Sequence, residues 1–171
     1  VCAGAGGHAG TLSPFGLVSE IREFFDGPIA LSGSISTGAG VLGAQALGAD
    51  YAYIGSAFIA TEEARASEAY KQSIVDSTAE DIIYSNLFTG VHGNYLRKSI
   101  EDAGLDPNNL PESDPSAMNF GSGGNTDAKA WKDIWGSGQG VGSIKKVQSA
   151  GAYVSELQAQ YEAAKQRICG G

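Results

Sequence analysis

Residues 28–56 read PIALSGSISTGAGVLGAQALGADYAYIGS, and this stretch indicates the fold class. It contains two short apolar runs, Pro28-Ile29-Ala30-Leu31 and Tyr51-Ala52-Tyr53-Ile54. Between them, Thr37 can cap a helix that has apolar residues at helical spacing and ends at Gly48. Strands that are apolar throughout, joined by a helix, are typical of a parallel sheet covered by helices. The stretch therefore predicts a βαβ unit.

The residues before this unit repeat its pattern. Val1-Cys2-Ala3 is an apolar stub that leads into a glycine-rich loop, and we interpret it as the end of another buried strand. Ser13-Pro14 then predicts the start of a helix of roughly ten residues, with serine as cap and proline in the first turn. Three βα units in succession predict a parallel α/β architecture.

The regular alternation stops after Thr61. Residues 62–77 and 97–103 are predicted to be helical, residues 80–84 can be extended, and residues 106–115 and 119–125 are rich in turn formers. Residues 151–168 predict an amphipathic helix. Its apolar stripe is Val154, Leu157, Tyr161, Ala164 and Ile168.

This change of pattern predicts three segments. Residues 1–69 hold the βα units, residues 70–127 form an inserted α-rich cap that faces the substrate, and residues 128–171 form a glycine-rich loop and a final helix. The last helix is expected to pack back on the βα units.

Composition and charge restrict the classes of partner that the chain is expected to bind. The chain has 171 residues, a formal net charge of -8 and scattered Lys and Arg residues, which argues against nucleic acid or anionic lipid as a partner. Neither an apolar run long enough to span a bilayer nor a signal peptide is evident, so a cytoplasmic protein acting on a small molecule is expected. The two cysteines, Cys2 and Cys169, are expected to be reduced.

Two predicted strands end in small residues that can present backbone amides. Ser32-Gly33-Ser34 follows one strand, and Gly55-Ser56 follows the next. The carboxyl ends of adjacent parallel strands lie side by side, where such loops hold a phosphate through unpaired N–H groups. The alternative is that these glycines only end the strands. Their occurrence one βα unit apart favours a phosphate site.

His8 is the candidate catalytic residue. It lies in Gly4-Ala5-Gly6-Gly7-His8-Ala9-Gly10, where almost no side chains would obstruct a flat cofactor or substrate. Imidazole exchanges protons near neutral pH and can also hold an anionic oxygen. The alternative is that His8 only stabilises the loop.

Two further candidates are less specific. His92, in the Thr89 to Tyr95 segment of the predicted cap, is interpreted as a loop-stabilising residue. Gln139, in the glycine-rich stretch of residues 135–142, can contact a cofactor ring or simply form the turn before the last helix. No metal site is predicted, because the acidic pairs lack a partner histidine and CxxC and HExxH motifs are absent.

Four ordered motifs resemble the nitronate monooxygenase family and its relative, the flavin-dependent enoyl-ACP reductase. Ala5-Gly6-Gly7-His8-Ala9-Gly10 is similar to the AGGHxG motif, and residues 29–38 correspond to the strand and phosphate loop. Residues 48–64 resemble the GAD and GTRFLATEEA stretch, and residues 138–142 match GQGVG. The resemblance covers almost the whole chain.

The resemblance implies the C-terminal half of a TIM (β/α)8 barrel, about strands six to eight, with non-covalently bound FMN. The FMN phosphate would lie against Ser32, Gly33, Ser34, Gly55 and Ser56. Gly6, Gly7 and Gln139 would lie near the flavin, and His8 would face its reactive edge. Two departures leave the substrate open: Gly4 stands where many members have glutamate, and Ser32-Gly33-Ser34 replaces a double glycine.

The implied activity is oxidation of alkyl nitronates with O2 to a carbonyl compound and nitrite. A flavin enoyl-ACP reductase or an NAD(P)H:quinone reductase on the same scaffold is an alternative, as is a non-catalytic phosphate-binding fragment. The resemblance also implies that the N-terminal half of the barrel must be supplied before FMN binds, and it leaves a homodimer open.

Overall fold

The computed structural model describes residues 1–113 and 133–170. The turn-rich stretch predicted at residues 119–125, the end of the predicted cap and the boundary at residue 128 lie outside the described residues.

The predicted βαβ unit is confirmed. Strands β2 (Ala30–Ser32) and β3 (Tyr51–Tyr53) pair in parallel, with Ser32 opposite Tyr53. Helix α2 (Gly38–Ala46) joins them, and the Thr37 side chain accepts a hydrogen bond of 3.1 Å from the Gly40 N–H. An N-terminal cap of this kind satisfies a backbone donor that has no partner within the helix. The helix cap and the two strands that local sequence predicted are therefore present in the folded chain.

Helix α1 (Pro14–Arg22) precedes this unit and is tied to it by Arg22. Ser13 caps the helix as predicted, by accepting a hydrogen bond from the Phe15 N–H. The Arg22 guanidinium donates to the Gly48 carbonyl and, at 2.7 Å, to Asp50 Oδ2. The Ile29 N–H, which bonds the same carboxylate oxygen at 2.7 Å, is the main cause that lowers the pKa of Asp50, followed by Arg22. One ionic network thus joins α1 to the starts of both strands.

The predicted strand at Val1-Cys2-Ala3 was wrong. The Cys2 N–H donates to the Ser32 carbonyl at 2.9 Å and Cys2 is fully buried, but the backbone turns at Gly4, where φ is 77°, before a ladder forms. The first strand of the described chain is β1 (Gly7–His8), which belongs to a different sheet. The parallel sheet of the described residues consequently has two strands.

The second sheet is antiparallel, with strand order β1, β5, β4. Strands β4 (Ile82–Ser85) and β5 (Gly93–Leu96) form a hairpin, and β1 adds to the β5 edge. The expected extended stretch at residues 80–84 is largely confirmed as β4. In the described part of the predicted cap, residues 70–113, this hairpin lies between helical elements, so the segment mixes helix and strand. Glycine and asparagine in β5 disfavour a strand, and only the pairing on both sides makes one.

Shorter elements surround this hairpin. Helix α3 (Ser56–Ile59) follows β3, helix α4 (Glu68–Asp76) precedes the hairpin, and helix α5 (Arg97–Asp102) follows it. Two 3-10 turns lie at Ala79–Asp81 and Gln139–Ser143.

One hydrophobic core joins all three predicted segments. Ala57 and Ala60 come from the first segment, Ile74, Ile82 and Leu96 from the second, and Val141, Ile144 and Tyr153 from the third. These side chains bury one another, so this core joins described residues of all three segments, while a second core around Val18 and Leu31 lies within the first segment.

Helix α6 (Ala150–Cys169) confirms the predicted final helix and packs on α2. A Cβ on Gly38 would lie 2.1 Å from the Leu157 carbonyl oxygen, so the two helices approach with no room for a side chain. The predicted stripe was wrong at Val154 and Ile168, which are exposed, and is confirmed at Ala164, which is buried; Tyr153, outside the stripe, is buried as well. No helix in residues 1–113 or 133–170 is both long and apolar enough to cross a membrane.

Candidate functional site

The tips of β2 and β3 border a cavity of about 270 Å³, which we call the glycine cavity. Seven of the eight residues that the sequence predicted for cofactor binding line it: Gly6, Gly7, Ser32, Gly33, Ser34, Gly55 and Ser56. None of the described lining residues carries a charged side chain. An anion in this cavity would therefore be held by backbone and hydroxyl dipoles, with no carboxylate to repel it.

The two strand tips play different parts in the cavity wall. A Cβ on Gly33 would lie 2.3 Å from Cys2 Sγ and 2.8 Å from the Ala3 carbonyl oxygen, and φ at Gly33 is 139°. A Cβ on Gly55 would meet no atom within 4 Å. Gly33 is thus required by packing against the N-terminal stub, whereas Gly55 leaves space beside the cavity that a ligand can occupy.

Ser34 adopts a backbone conformation that is unfavourable for a residue with a side chain. Its φ is 56°, in the left-handed region, which costs a non-glycine residue about 1–2 kcal/mol. Strain of this kind is concentrated at ligand sites. The Ser34 N–H donates to the Gly4 carbonyl at 3.3 Å, so this amide, predicted to be free for an anion, has an internal partner.

A third loop closes the cavity against Ser56, after the tip of β3, and against the loop at Gly4. The Gly138 N–H donates to Ser56 Oγ at 2.9 Å, and the Gln139 N–H donates to the Gly4 carbonyl at 2.8 Å. Ser56 therefore receives a hydrogen bond from the loop and keeps its own hydroxyl proton to donate. The side chain of Gln139 is exposed beside Gly4 and does not line the cavity, in contrast to the other seven predicted cofactor residues.

His8 lines a second cavity of about 770 Å³, which we call the histidine cavity. The two cavities share Gly7 and Gly136 in their walls and are therefore neighbours. His8 lies in β1 opposite Gly93, and its Nε2 atom is 2.9 Å from Thr89 Oγ1. The predicted catalytic residue is thus held by the hairpin of the predicted cap, next to the predicted phosphate site.

Aromatic side chains form one wall of the histidine cavity. The rings of Tyr70 and Trp135 stack with centroids 5.0 Å apart, and Tyr95 also lines the cavity. The Tyr70 hydroxyl donates to the Gly136 carbonyl at 2.5 Å, and burial raises the pKa of Tyr70 to about 12. Tyr70 therefore stays neutral at physiological pH and ties the aromatic wall to the backbone shared by both cavities.

The remaining sequence candidate, His92, stacks on Tyr84 with ring centroids 5.0 Å apart and lines neither cavity. The His92 backbone carbonyl accepts a hydrogen bond from the Ala9 N–H, so His92 helps to hold the chain next to His8. Groups of three or more His, Cys, Asp or Glu residues suited to a metal ion are absent from the described part of the chain.

Three residues of the site escaped the sequence interpretation: Thr89, Tyr70 and Trp135. Thr89 lies in the segment that was considered only for His92, and the aromatic pair is far apart in sequence. Thr89 and Gly90 offered only a local signal for a turn.

Comparison with known proteins identifies relatives of this chain. The family model for nitronate monooxygenase matches residues 2–160. A nitronate monooxygenase of Paraburkholderia phytofirmans is 29% identical over 168 residues, which cover 92% of this chain and 46% of that protein. The chain spans less than half the length of the first curated relatives that it matches.

Solved structures show the same fold. FabK from Thermotoga maritima superposes with a TM-score of 0.73 at 23% identity, covering 97% of this chain and 54% of that one. Nitroalkane oxidase from Streptomyces ansochromogenes gives a TM-score of 0.73 at 26% identity, with 97% and 52% covered. Because the family model matches residues 2–160, which is most of the chain, the chain belongs to the nitronate monooxygenase family.

Proposed function

We propose that the intact protein is an FMN-dependent oxidoreductase that converts alkyl nitronates and dioxygen to a carbonyl compound and nitrite. The observation that carries this proposal is the arrangement of the two cavities. The glycine cavity collects the predicted phosphate residues, and the adjoining histidine cavity holds the predicted catalytic imidazole. Family membership supports the same reaction class.

The glycine cavity suits the phosphate of FMN on two counts. Gly55 leaves open space at one strand tip, and the described lining offers hydroxyls and backbone without any carboxylate. The Ser32, Ser34 and Ser56 hydroxyls and the backbone of Gly33 and Gly55 would bind the phosphate. Gly6 and Gly7 would let the ring system approach the backbone closely. When bound, FMN would supply the electron transfer between nitronate and dioxygen.

The protein's own residues would position the substrate and handle its charge. A nitronate carries its negative charge on the oxygens of the nitro group, and the His8 ring can hold such an oxygen or accept a proton from a neutral nitroalkane. The stacked Tyr70 and Trp135 rings provide an apolar wall for the alkyl part and exclude water from that side. Arg65 and Asp133 also line this cavity, so its wall carries one residue of each charge, and Arg65 is the one that would attract an anionic substrate.

An absorbance experiment on the intact protein tests the proposal. The purified protein should show a flavin spectrum, lose it on anaerobic mixing with an alkyl nitronate, and release nitrite when air is admitted. Protein that is colourless and does not take up added FMN would contradict the proposal. Bleaching by NADH or NADPH, with no response to the nitronate, would instead identify a reductase on the same scaffold.

A further inference from the structure

We propose that Thr89 is a positioning residue that fixes the tautomer of His8, so that Nδ1 is the ring atom that works on the substrate. This inference rests on the proposed function for its catalytic meaning, but the tautomer itself is a property of the resting protein. It is carried by the hydrogen bonds around one hydroxyl group, which lies in the loop between β4 and β5.

The Thr89 hydroxyl has one proton, and the positions of the heavy atoms around Oγ1 favour one acceptor for it. Thr89 Oγ1 lies 2.8 Å from the Val91 carbonyl oxygen, which can only accept a hydrogen bond, so the hydroxyl proton is donated there. The Val91 N–H donates back to Oγ1 at 3.3 Å and occupies one lone pair. One lone pair remains, and it faces His8 Nε2 at 2.9 Å.

These hydrogen bonds determine which nitrogen of the His8 ring carries the hydrogen. Because Thr89 can only accept toward His8, the Nε2 atom must carry a hydrogen. In the neutral ring the other nitrogen, Nδ1, then holds the lone pair and is the basic atom. Nδ1 makes no hydrogen bond to any residue in the described ranges, which leaves it available to a substrate in the histidine cavity.

The backbone around both residues keeps this hydrogen bond in place. His8 pairs with Gly93 in the antiparallel sheet, and the Ala9 N–H donates to the His92 carbonyl. At the other end of the loop, the Gly90 N–H donates to the Asn86 carbonyl at 2.7 Å, and Asn86 is buried. Thr89 lies in the loop between β4 and β5, and His8 lies on β1, which pairs with β5, so one sheet fixes the backbones that carry both side chains.

Nitrogen-15 NMR of the histidine rings in the intact resting protein tests the inference directly. His8 is assigned by its loss in His8→Gln, and spectra are taken at a pH where the ring is neutral. We expect the Nε2-protonated tautomer in the wild type and in Thr89→Ser, which keeps a hydroxyl. Thr89→Val, which keeps the shape but not the acceptor, should show a mixture of tautomers.

Turnover gives the second readout. Thr89→Val should lower kcat/KM for the nitronate by about 10- to 100-fold, and Thr89→Ser should restore most of it. An Nδ1-protonated His8 in the wild type would overturn the inference, and so would a Thr89→Val protein with an unchanged tautomer. If Thr89→Val does not fold, the wild-type spectrum still decides. If the wild-type protein does not turn over the nitronate, the proposed function is contradicted, but the tautomer assignment still stands.

Discussion

The Gly138 N–H donates a hydrogen bond of 2.9 Å to Ser56 Oγ, and this contact joins a glycine-rich loop to the start of α3, 82 residues away in sequence. Ser56 follows the tip of β3, and Gly138 precedes the 3-10 turn at Gln139–Ser143. The late glycine-rich loop is thereby held against the strand tips that line the glycine cavity. The candidate phosphate site is therefore bordered by this loop as well as by the strand tips.

Filling the glycine cavity from Gly55 should abolish flavin binding without unfolding the protein. A Cβ at Gly55 meets nothing within 4 Å, so the side chain of Gly55→Leu has room in the open space beside the cavity and would displace the phosphate. We expect a colourless protein with a Tm close to that of the wild type. Gly16→Leu is the matched control, since Gly16 is also unobstructed but lies on α1, away from both cavities. A yellow Gly55→Leu protein would show that the phosphate binds elsewhere.

Replacing His8 should separate cofactor binding from turnover. His8→Asn should keep the flavin spectrum, because His8 does not line the glycine cavity, and should lower turnover of the nitronate by about 10²- to 10⁴-fold. His92→Asn serves as the control, since His92 lines neither cavity. Steady-state nitrite release measures both. Equal activity in the wild type and His8→Asn would remove the imidazole from the mechanism.

The close approach of α2 and α6 should make Gly38 intolerant of any side chain. A Cβ there would lie 2.1 Å from the Leu157 carbonyl oxygen and 2.2 Å from the Tyr161 nitrogen, and backbone atoms cannot move aside as side chains can. Gly38→Ala should therefore lower the free energy of unfolding by about 1–3 kcal/mol or more, as overpacking does. Urea denaturation of the intact protein measures it.

Gly43 provides the comparison for this variant because it lies in the same helix. A Cβ at Gly43 meets nothing within 4 Å. Gly43→Ala should be neutral or stabilising by up to about 1 kcal/mol, since alanine favours a helix more than glycine does. If both variants were equally stable, the two helices would have to lie further apart than the structure shows.

Tyr70 should make stability depend on alkaline pH. Burial raises its pKa from 10.0 to about 12, so folding favours the protonated phenol. This contribution is fully present below pH 10, the ordinary pKa, and is lost as the pH rises through about 12. Between pH 8 and pH 12 the wild type should lose roughly 2 kcal/mol relative to Tyr70→Phe.

Thermal unfolding at several pH values measures this difference for the intact protein. Tyr51→Phe is the control for loss of a phenol, because the Tyr51 side chain is 64% exposed. A wild type and a Tyr70→Phe variant whose stabilities change in parallel with pH would contradict the buried position of this hydroxyl.

Much of the βα half of the molecule follows from local sequence. Ser13 and Thr37 cap the helices that they were predicted to cap, and the apolar runs around Leu31 and Ala52 form the predicted parallel pair. The strand tips with Gly33 and Gly55 come together for the same reason, because parallel pairing places the ends of neighbouring strands side by side. Each of these outcomes depends on residues close together in the chain.

The sheet and the loop that hold His8 depend on contacts between residues far apart in sequence. Gly93 and Asn94 form a strand because β4 and β1 pair with them on both sides, and Thr89 reaches His8 across 81 positions of sequence. Sequence pattern reports the preference of a short segment for helix, strand or turn. It does not show which distant backbone group will complete a hydrogen bond. In the folded chain these segments meet through the shared core around Leu96 and Val141.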